Sequence, residues 1–128
     1  MADKKRVLIV DDMEVNRKAI KTFLFFFHFE IDLANDGLEA KALIEKNTYD
    51  LVVSDIEMPN MNGFELLTWI RRSSGLKTVP VIMLSTLDSP ETIERCTRIG
   101  ATAYIVKPFT LDKMTAALEK AGLGKDPS

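Results

Sequence analysis

Cysteine is almost absent: Cys96 stands alone, so no internal disulfide can form, as suits a reducing compartment. With no histidine or second cysteine beside it, Cys96 reads as a core residue rather than a nucleophile. Excess charge of one sign is missing too. The 17 lysines and arginines nearly balance 19 aspartates and glutamates, and a net charge of -2 gives no electrostatic reason to expect nucleic-acid binding. Long apolar runs are also lacking. Val7–Val10 runs straight into two aspartates, and Phe23–Phe27 is followed by His28 and Glu30. Both are far too short for a signal peptide or a membrane span. Repeats and low-complexity segments do not occur. These absences point to a soluble cytoplasmic protein.

What is present suits one compact domain. The 128 residues are too few for two domains, and 46% are hydrophobic, enough for a sizeable core. Short β-branched and apolar runs alternate with longer amphipathic ones. The pattern predicts strands over 6–10, 29–34, 51–54, 81–84 and 103–106, and helices over 13–27, 38–46, 64–72, 90–99 and 111–121. Ser89-Pro90 followed by Glu91 is an N-cap with proline at the first helical position, and Thr110 is a second cap. Gly75, Gly100 and Gly122 stand where helices should stop. Five strands joined by five helices imply parallel pairing, because only a helix-containing crossover is long enough. The fold class expected is therefore α/β, a doubly wound five-stranded parallel sheet of flavodoxin-like order 2-1-3-4-5. The alternating second strand suits an edge. Residues 1–121 form the domain, and 122–128 are expected to be a flexible tail.

Ligands of such sheets bind beyond the carboxyl ends of the strands. Asp11 and Asp12 follow the first strand, Asp55 ends the third, Ser85 follows the fourth and Lys107 the fifth. Three carboxylates, a hydroxyl and an ammonium should thus converge. Carboxylates so crowded repel one another unless a cation sits among them. Oxygen-only ligands favour a hard divalent ion such as Mg²⁺, and the lack of histidine or cysteine at these positions argues against zinc. Ser85 and Lys107 are then placed to contact phosphoryl oxygens, and a carboxylate can itself be the nucleophile of an aspartyl phosphate. Singly, each residue has an ordinary reading: an aspartate pair is often a helix cap, and a lysine before proline is often a surface residue. The joint arrangement is what points to chemistry.

The motifs Val10-Asp11-Asp12, Ser54-Asp55-Ile56-Glu57-Met58-Pro59-Asn60-Met61-Asn62-Gly63, Leu84-Ser85-Thr86 and Lys107-Pro108-Phe109 resemble those of response-regulator receiver domains in two-component signalling. They are similar in particular to the single-domain chemotaxis regulator. The resemblance spans about residues 5 to 121. It implies that Asp55 accepts a phosphoryl group from a phosphohistidine on a histidine kinase or phosphotransfer protein. It further implies that Asp12, Asp55 and the Glu57 carbonyl bind Mg²⁺ directly while Asp11 acts mostly through water, and that Ser85 and Lys107 contact the phosphoryl group. A cis Lys107-Pro108 bond is implied as well. Tyr104 matches the family's switch aromatic, whose ring would move in from outside when the Ser85 hydroxyl shifts, changing the surface of the fourth helix, fifth strand and fifth helix. Such a domain is no enzyme beyond catalysing its own phosphorylation and dephosphorylation, and its output is the binding of a downstream protein. His28, the only histidine, follows a helix end and suits a structural or solvent-facing role.

Two positions depart from the chemotaxis regulator. Glu57 replaces a neutral amide two residues past the phosphoacceptor, and Leu87 replaces a carboxylate two past Ser85. An apolar Leu87 cannot orient the hydrolytic water, which predicts slower self-dephosphorylation than in that regulator, while Glu57 could either hydrogen-bond the water or add repulsion. On the first helix, Ile20, Phe23, Leu24 and Phe27 share the core face, whereas Phe25 points almost oppositely, beside Lys18, Lys21 and Thr22, with Phe26 on the flank. The pair suggests donor docking or dimerisation; packing of Phe26 on the last helix is the plainer alternative. The fold alone would also suit a flavin or nucleotide binder, but Asp11-Asp12-Met13-Glu14 stands where a phosphate-cradling loop is needed. A phosphohydrolase acting through an aspartyl phosphate would have Glu57 as second acid, yet so short a chain has no cap domain. A receiver that binds partners without being phosphorylated is disfavoured by the intact acidic, hydroxyl and lysine set.

Overall fold

The protein is described by a computed structural model covering residues 4–124. Strands β1 (Arg6–Val10), β2 (Glu30–Ala34), β3 (Leu51–Ser54), β4 (Val81–Ser85) and β5 (Ala103–Val106) alternate with helices α1 (Glu14–Phe25), α2 (Gly37–Lys46), α3 (Gly63–Arg72), α4 (Pro90–Ile99) and α5 (Leu111–Lys120). The strands form one parallel sheet of order β2-β1-β3-β4-β5, as the alternation of runs predicts.

Successive strand side chains point to opposite faces, and each face has its own core. Leu8, Val10, Val52 and Met83 pack with Ala40, Ile44, Leu66, Leu67, Ile70 and Cys96 of α2, α3 and α4. Val7, Ile9, Val53 and Leu84 pack with Ile20, Leu24, Met114 and Leu118 of α1 and α5. Burial of each large side chain contributes about 1.5–3 kcal/mol, and twelve of them are essentially inaccessible. Edge strand β2 is tied to its neighbours by polar side-chain contacts as well as by the ladder. Asp32 accepts from the Tyr49 hydroxyl at 2.6 Å and from Arg6 at 2.9 Å, and an inward carboxylate on an edge also blocks strand addition.

Helix boundaries follow their caps. Ser89 and Thr110 accept from the backbone N–H groups of Thr92 and Lys113, and Gly75, Gly100 and Gly122 all have positive φ. Helix α1 is shorter than the predicted 13–27. Met13 is extended at the N-cap, and after Phe25 the N–H groups of Phe27 and His28 bond three residues back, to Leu24 and Phe25. His28 then takes φ of 60° and turns the chain into β2, one residue later than the predicted strand start. Leu123, placed by sequence in the tail, packs against the α1–α5 core and donates its N–H to the Leu118 carbonyl. Residues 125–128 of that tail lie outside the described residues.

Candidate functional site

Strand register brings the predicted residues to one edge. Val10 lies opposite Ser54 and Ser85 opposite Val106, so β1 ends beside β3 and β4 beside β5, all at one edge of the sheet. The ladder continues one residue further: Asp55 N–H donates to the Val10 carbonyl at 2.9 Å and Lys107 N–H to the Ser85 carbonyl at 2.8 Å. Gly63 makes the turn after Asp55 possible, because a Cβ there would collide with the Asp55 carbonyl oxygen.

Asp11, Asp12 and Asp55 each turn a carboxylate oxygen into a group within 4.8 Å of one another. The Lys107 ammonium sits between two of them, donating to Asp11 Oδ2 at 2.8 Å and Asp55 Oδ2 at 3.3 Å. Asp12 is exposed, Asp11 is buried and Asp55 is 9% exposed. Burial pushes the Asp55 carboxyl above its ordinary pKa; Lys107 and the Ile56 N–H oppose the shift, and Asp11 adds to it. Burial by itself would depress Lys107, but its hydrogen bond to Asp11 and the charges of Asp55 and Asp11 prevail and hold it above its ordinary value. The two partners thus shift in ways that differ in meaning. The ammonium gains from the site, whereas the Asp55 carboxylate is left short of compensating positive charge, the condition a divalent cation relieves.

Asp11 serves two purposes. Its Oδ1 accepts from Met13 N–H at 2.9 Å and from Asn16 Nδ2 at 3.3 Å, supplying the capping contact that Met13 lacks, while Arg17 holds its carbonyl at 2.7 Å. The helix-cap reading and the ion-pair reading are both true of it. Asn16 and Arg17 escaped the sequence reading, although a polar pair in the first turn after Asp11-Asp12 was a signal for them.

A cavity of about 680 Å³ opens over these groups. Asp12, Asp55, Glu57 and Lys107 give it a polar floor; Met13, Ile20, Pro108 and Phe109 give it an apolar wall. Ser85 is not in that lining. It is fully buried with Oγ accepting from Leu87 N–H at 3.2 Å, and the exposed neighbour Thr86 lines the cavity instead. The Glu57 side chain is exposed and lies outside the three-carboxylate group. The Lys107-Pro108 bond is cis, as the resemblance implied. Tyr104 differs from the expectation of a ring waiting outside: it is half-buried against the core, with its hydroxyl donating to the Leu87 carbonyl at 2.6 Å.

Comparison with known proteins agrees with this geometry. The family profile described as the response regulator receiver domain matches residues 7–119. The chain is 38% identical over 116 residues to the chemotaxis protein CheY-3 of Vibrio cholerae, covering 90% of this chain and 89% of that protein. It is also 38% identical over 106 residues to the gliding motility regulatory protein of Myxococcus xanthus, covering 83% of this chain but only 14% of that much longer protein. The structure of the chemotaxis response regulator CheY4 of Vibrio cholerae superimposes with a TM-score of 0.85 at 35% identity, covering 93% of this chain and 99% of the other.

Proposed function

The chain belongs to the response regulator receiver domain family and is a phosphorylation-dependent signalling switch; from that premise we propose that Asp55 is its phosphoacceptor. A carboxylate oxygen of Asp55 forms the new O–P bond as the N–P bond of a phosphohistidine breaks, and the departing imidazole takes up a proton. The donor is a histidine kinase or histidine phosphotransfer protein. The observation that carries this reading is the meeting of Asp11, Asp12 and Asp55 with the Lys107 ammonium at the tips of β1, β3 and β5.

Asp12, Asp55 and the Glu57 carbonyl hold Mg²⁺ in this reading, with Asp11 acting mostly through water; the oxygen-only donor set fits that ion, and Asp11 is already engaged by Lys107, Met13 and Asn16. When bound, the ion offsets charge on the phosphoryl oxygens. Lys107 supplies a second positive charge from its position between Asp11 and Asp55. The Ser85 hydroxyl reaches the phosphoryl group by giving up the Leu87 N–H, and that exchange alters the loop on which the Tyr104 hydroxyl rests. The chemistry is confined to the domain's own phosphorylation and dephosphorylation, in the cytoplasm, and the output is the binding of a downstream protein. Self-association through Phe25 and Phe26, or through the surface of α4, β5 and α5, would be a further contact of the same switch.

Incubation with a phosphoramidate and Mg²⁺, followed by intact-mass spectrometry, tests the assignment. Wild type should gain one phosphoryl group and lose the label on chelation of the metal beforehand, and Asp55→Asn should gain none. Labelling of Asp55→Asn equal to wild type would overturn it. Repeated turnover of a generic phosphate ester would favour a phosphohydrolase instead.

A further inference from the structure

The chain has six arginines, and four of them, Arg71, Arg72, Arg95 and Arg98, meet along the seam between α3 and α4. Two hollows run down this seam. One, of about 380 Å³, is lined by Phe64, Trp69, Arg72 and Arg95. The other, of about 280 Å³, is lined by Arg71 and Arg98. Both also touch Thr68 and Arg72, so they form one continuous groove. Its upper end begins at Phe64, which also borders the hollow over Glu57 and Leu87.

The four guanidinium groups are not equivalent. Arg71 is spent on structure: Nε donates to the Gly100 carbonyl at 2.9 Å and an Nη to the Val79 carbonyl at 2.6 Å. Arg98 lies 3.8 Å from Glu94, a pair so exposed that it holds neither side chain firmly. Among the described residues Arg72 and Arg95 make no ion pair. Arg95 is held over the Phe64 ring at 3.9 Å, with its N–H edges left free. Glu65, the carboxylate among the residues lining these two hollows, is turned to the Asn62 N–H at 3.0 Å in a capping box. Attraction to the helix C-terminal dipole explains a basic residue in the last turn, as with Arg72 and Arg98, but not Arg95 in mid-helix.

The surroundings decide what chemistry this groove fits. Arg95 covers the Phe64 ring and Lys41 lies 5.3 Å over the Trp69 ring, so these cations already cap a face of each ring against a planar aromatic ligand. Arg72, Arg95 and Arg98 are all exposed, so a single small anion would find each charge well screened by water. Forked guanidinium edges spaced along a groove instead match carboxylates taken in succession, each paired bidentately. We propose that the α3–α4 seam is a docking groove for an acidic segment, rich in aspartate and glutamate, of a partner protein.

Trp69 is the only tryptophan and lies in the groove, so its fluorescence reports occupancy directly. A deca-glutamate peptide titrated into the unphosphorylated protein at low ionic strength should change Trp69 emission saturably, and deca-glutamine should not. The affinity should fall on the order of tenfold in Arg72→Glu/Arg95→Glu, since charge reversal replaces attraction by repulsion. Arg72→Gln/Arg95→Gln, a milder change at exposed positions, should move it the same way, and Lys113→Glu/Lys120→Glu on α5, with the same change in net charge, should not. The absence of a saturable change, or equal affinity in the α3–α4 and α5 variants, would sink the proposal. So would ATP or inorganic phosphate matching the peptide at equal concentration, or self-association of the chain that the α3–α4 variants abolish. Because no phosphorylation is involved, failure here leaves the assignment of Asp55 untouched.

Discussion

Leu87 is the side chain expected to set the timing of the switch. It is half-buried and shares a hollow of about 410 Å³ with Asp12, Glu57 and Phe64. Hydrolysis of an acyl phosphate requires a water oriented for in-line attack, and an isobutyl group offers that water no acceptor. Among the described residues that line this hollow, Glu57 is the only exposed carboxylate beyond Asp12. Leu87→Glu should therefore speed decay of the phosphorylated form by about tenfold, equivalent to lowering the barrier by about 1.4 kcal/mol. The measurement is loss of the phosphorylated mass with time after removal of the small donor. A decay rate unchanged by the substitution would mean that water reaches the site without help from this position. At this scale the sequence exposed the charged members of the site well, because each directly follows an apolar run that could only be a strand. It concealed how far Ser85 is buried and that Thr86 takes its place in the cavity wall, since both are hydroxyls at adjacent positions and only strand register distinguishes them.

Among the elements, α2 is tied to the loop that leads into α3 by the Asp36 carboxylate and by one backbone bond. Asp36 caps the helix by accepting from Glu39 N–H at 2.8 Å and also accepts from Asn60 Nδ2 at 2.7 Å, while Gly37 N–H donates to the Met61 carbonyl. Asn60 has φ of 67°, a left-handed conformation that asparagine adopts more readily than most residues, and this bond helps to hold it there. The Glu39 N–H and then the Asn60 amide hold the Asp36 carboxyl below its ordinary pKa. A depressed folded-state pKa means stability that is present above the ordinary carboxylate range and lost as pH falls through the folded value. Asp36→Ala should cost about 1 kcal/mol at neutral pH. Asp36→Asn keeps a capping oxygen but does not titrate, so its difference from wild type should shrink as pH is lowered. Urea unfolding of the three proteins between neutral pH and the onset of acid denaturation checks both statements, and a pH-independent difference would remove the carboxylate from the explanation. Element identity was legible throughout because short apolar runs and longer amphipathic runs of period 3.6 alternate cleanly. The end of α1 was not, because five apolar residues in a row, Phe23 to Phe27, carry no stop signal, and the left-handed turn falls on His28 rather than on a glycine.

For the molecule as a whole, the open matter is how its two ends share the work of recognition. The α1–α5 face carries a chain of rings, Phe109 to Phe23 at 5.9 Å, Phe23 to Phe27 at 5.4 Å and Phe27 to Phe29 at 5.9 Å, that joins the loop after Lys107 to the far end of α1. Phe25 and Phe26 stand outside this chain, 68% and 73% exposed and 6.1 Å apart, so Phe26 does not pack on the last helix. Helix α1 begins at the sheet edge that carries Asp11 and Asp55 and rises 1.5 Å per residue, which puts the pair roughly 16–18 Å along the axis from its first residue, Glu14. No side chain at that distance can take part in phosphoryl transfer, yet a protein donor with an ordinary interface of about 800 Å² per partner covers it easily. A role in donor docking then has a definite kinetic signature. Phe25→Lys/Phe26→Lys should raise the donor concentration needed for half-maximal transfer by about tenfold, roughly 1.4 kcal/mol of lost apolar burial. The rate at saturating donor and labelling by a small phosphoramidate should both stay as in wild type. Equal loss with protein and small donors would place the defect in folding or chemistry. Unchanged transfer with altered sedimentation would instead assign the ring pair to contact between two copies of the chain.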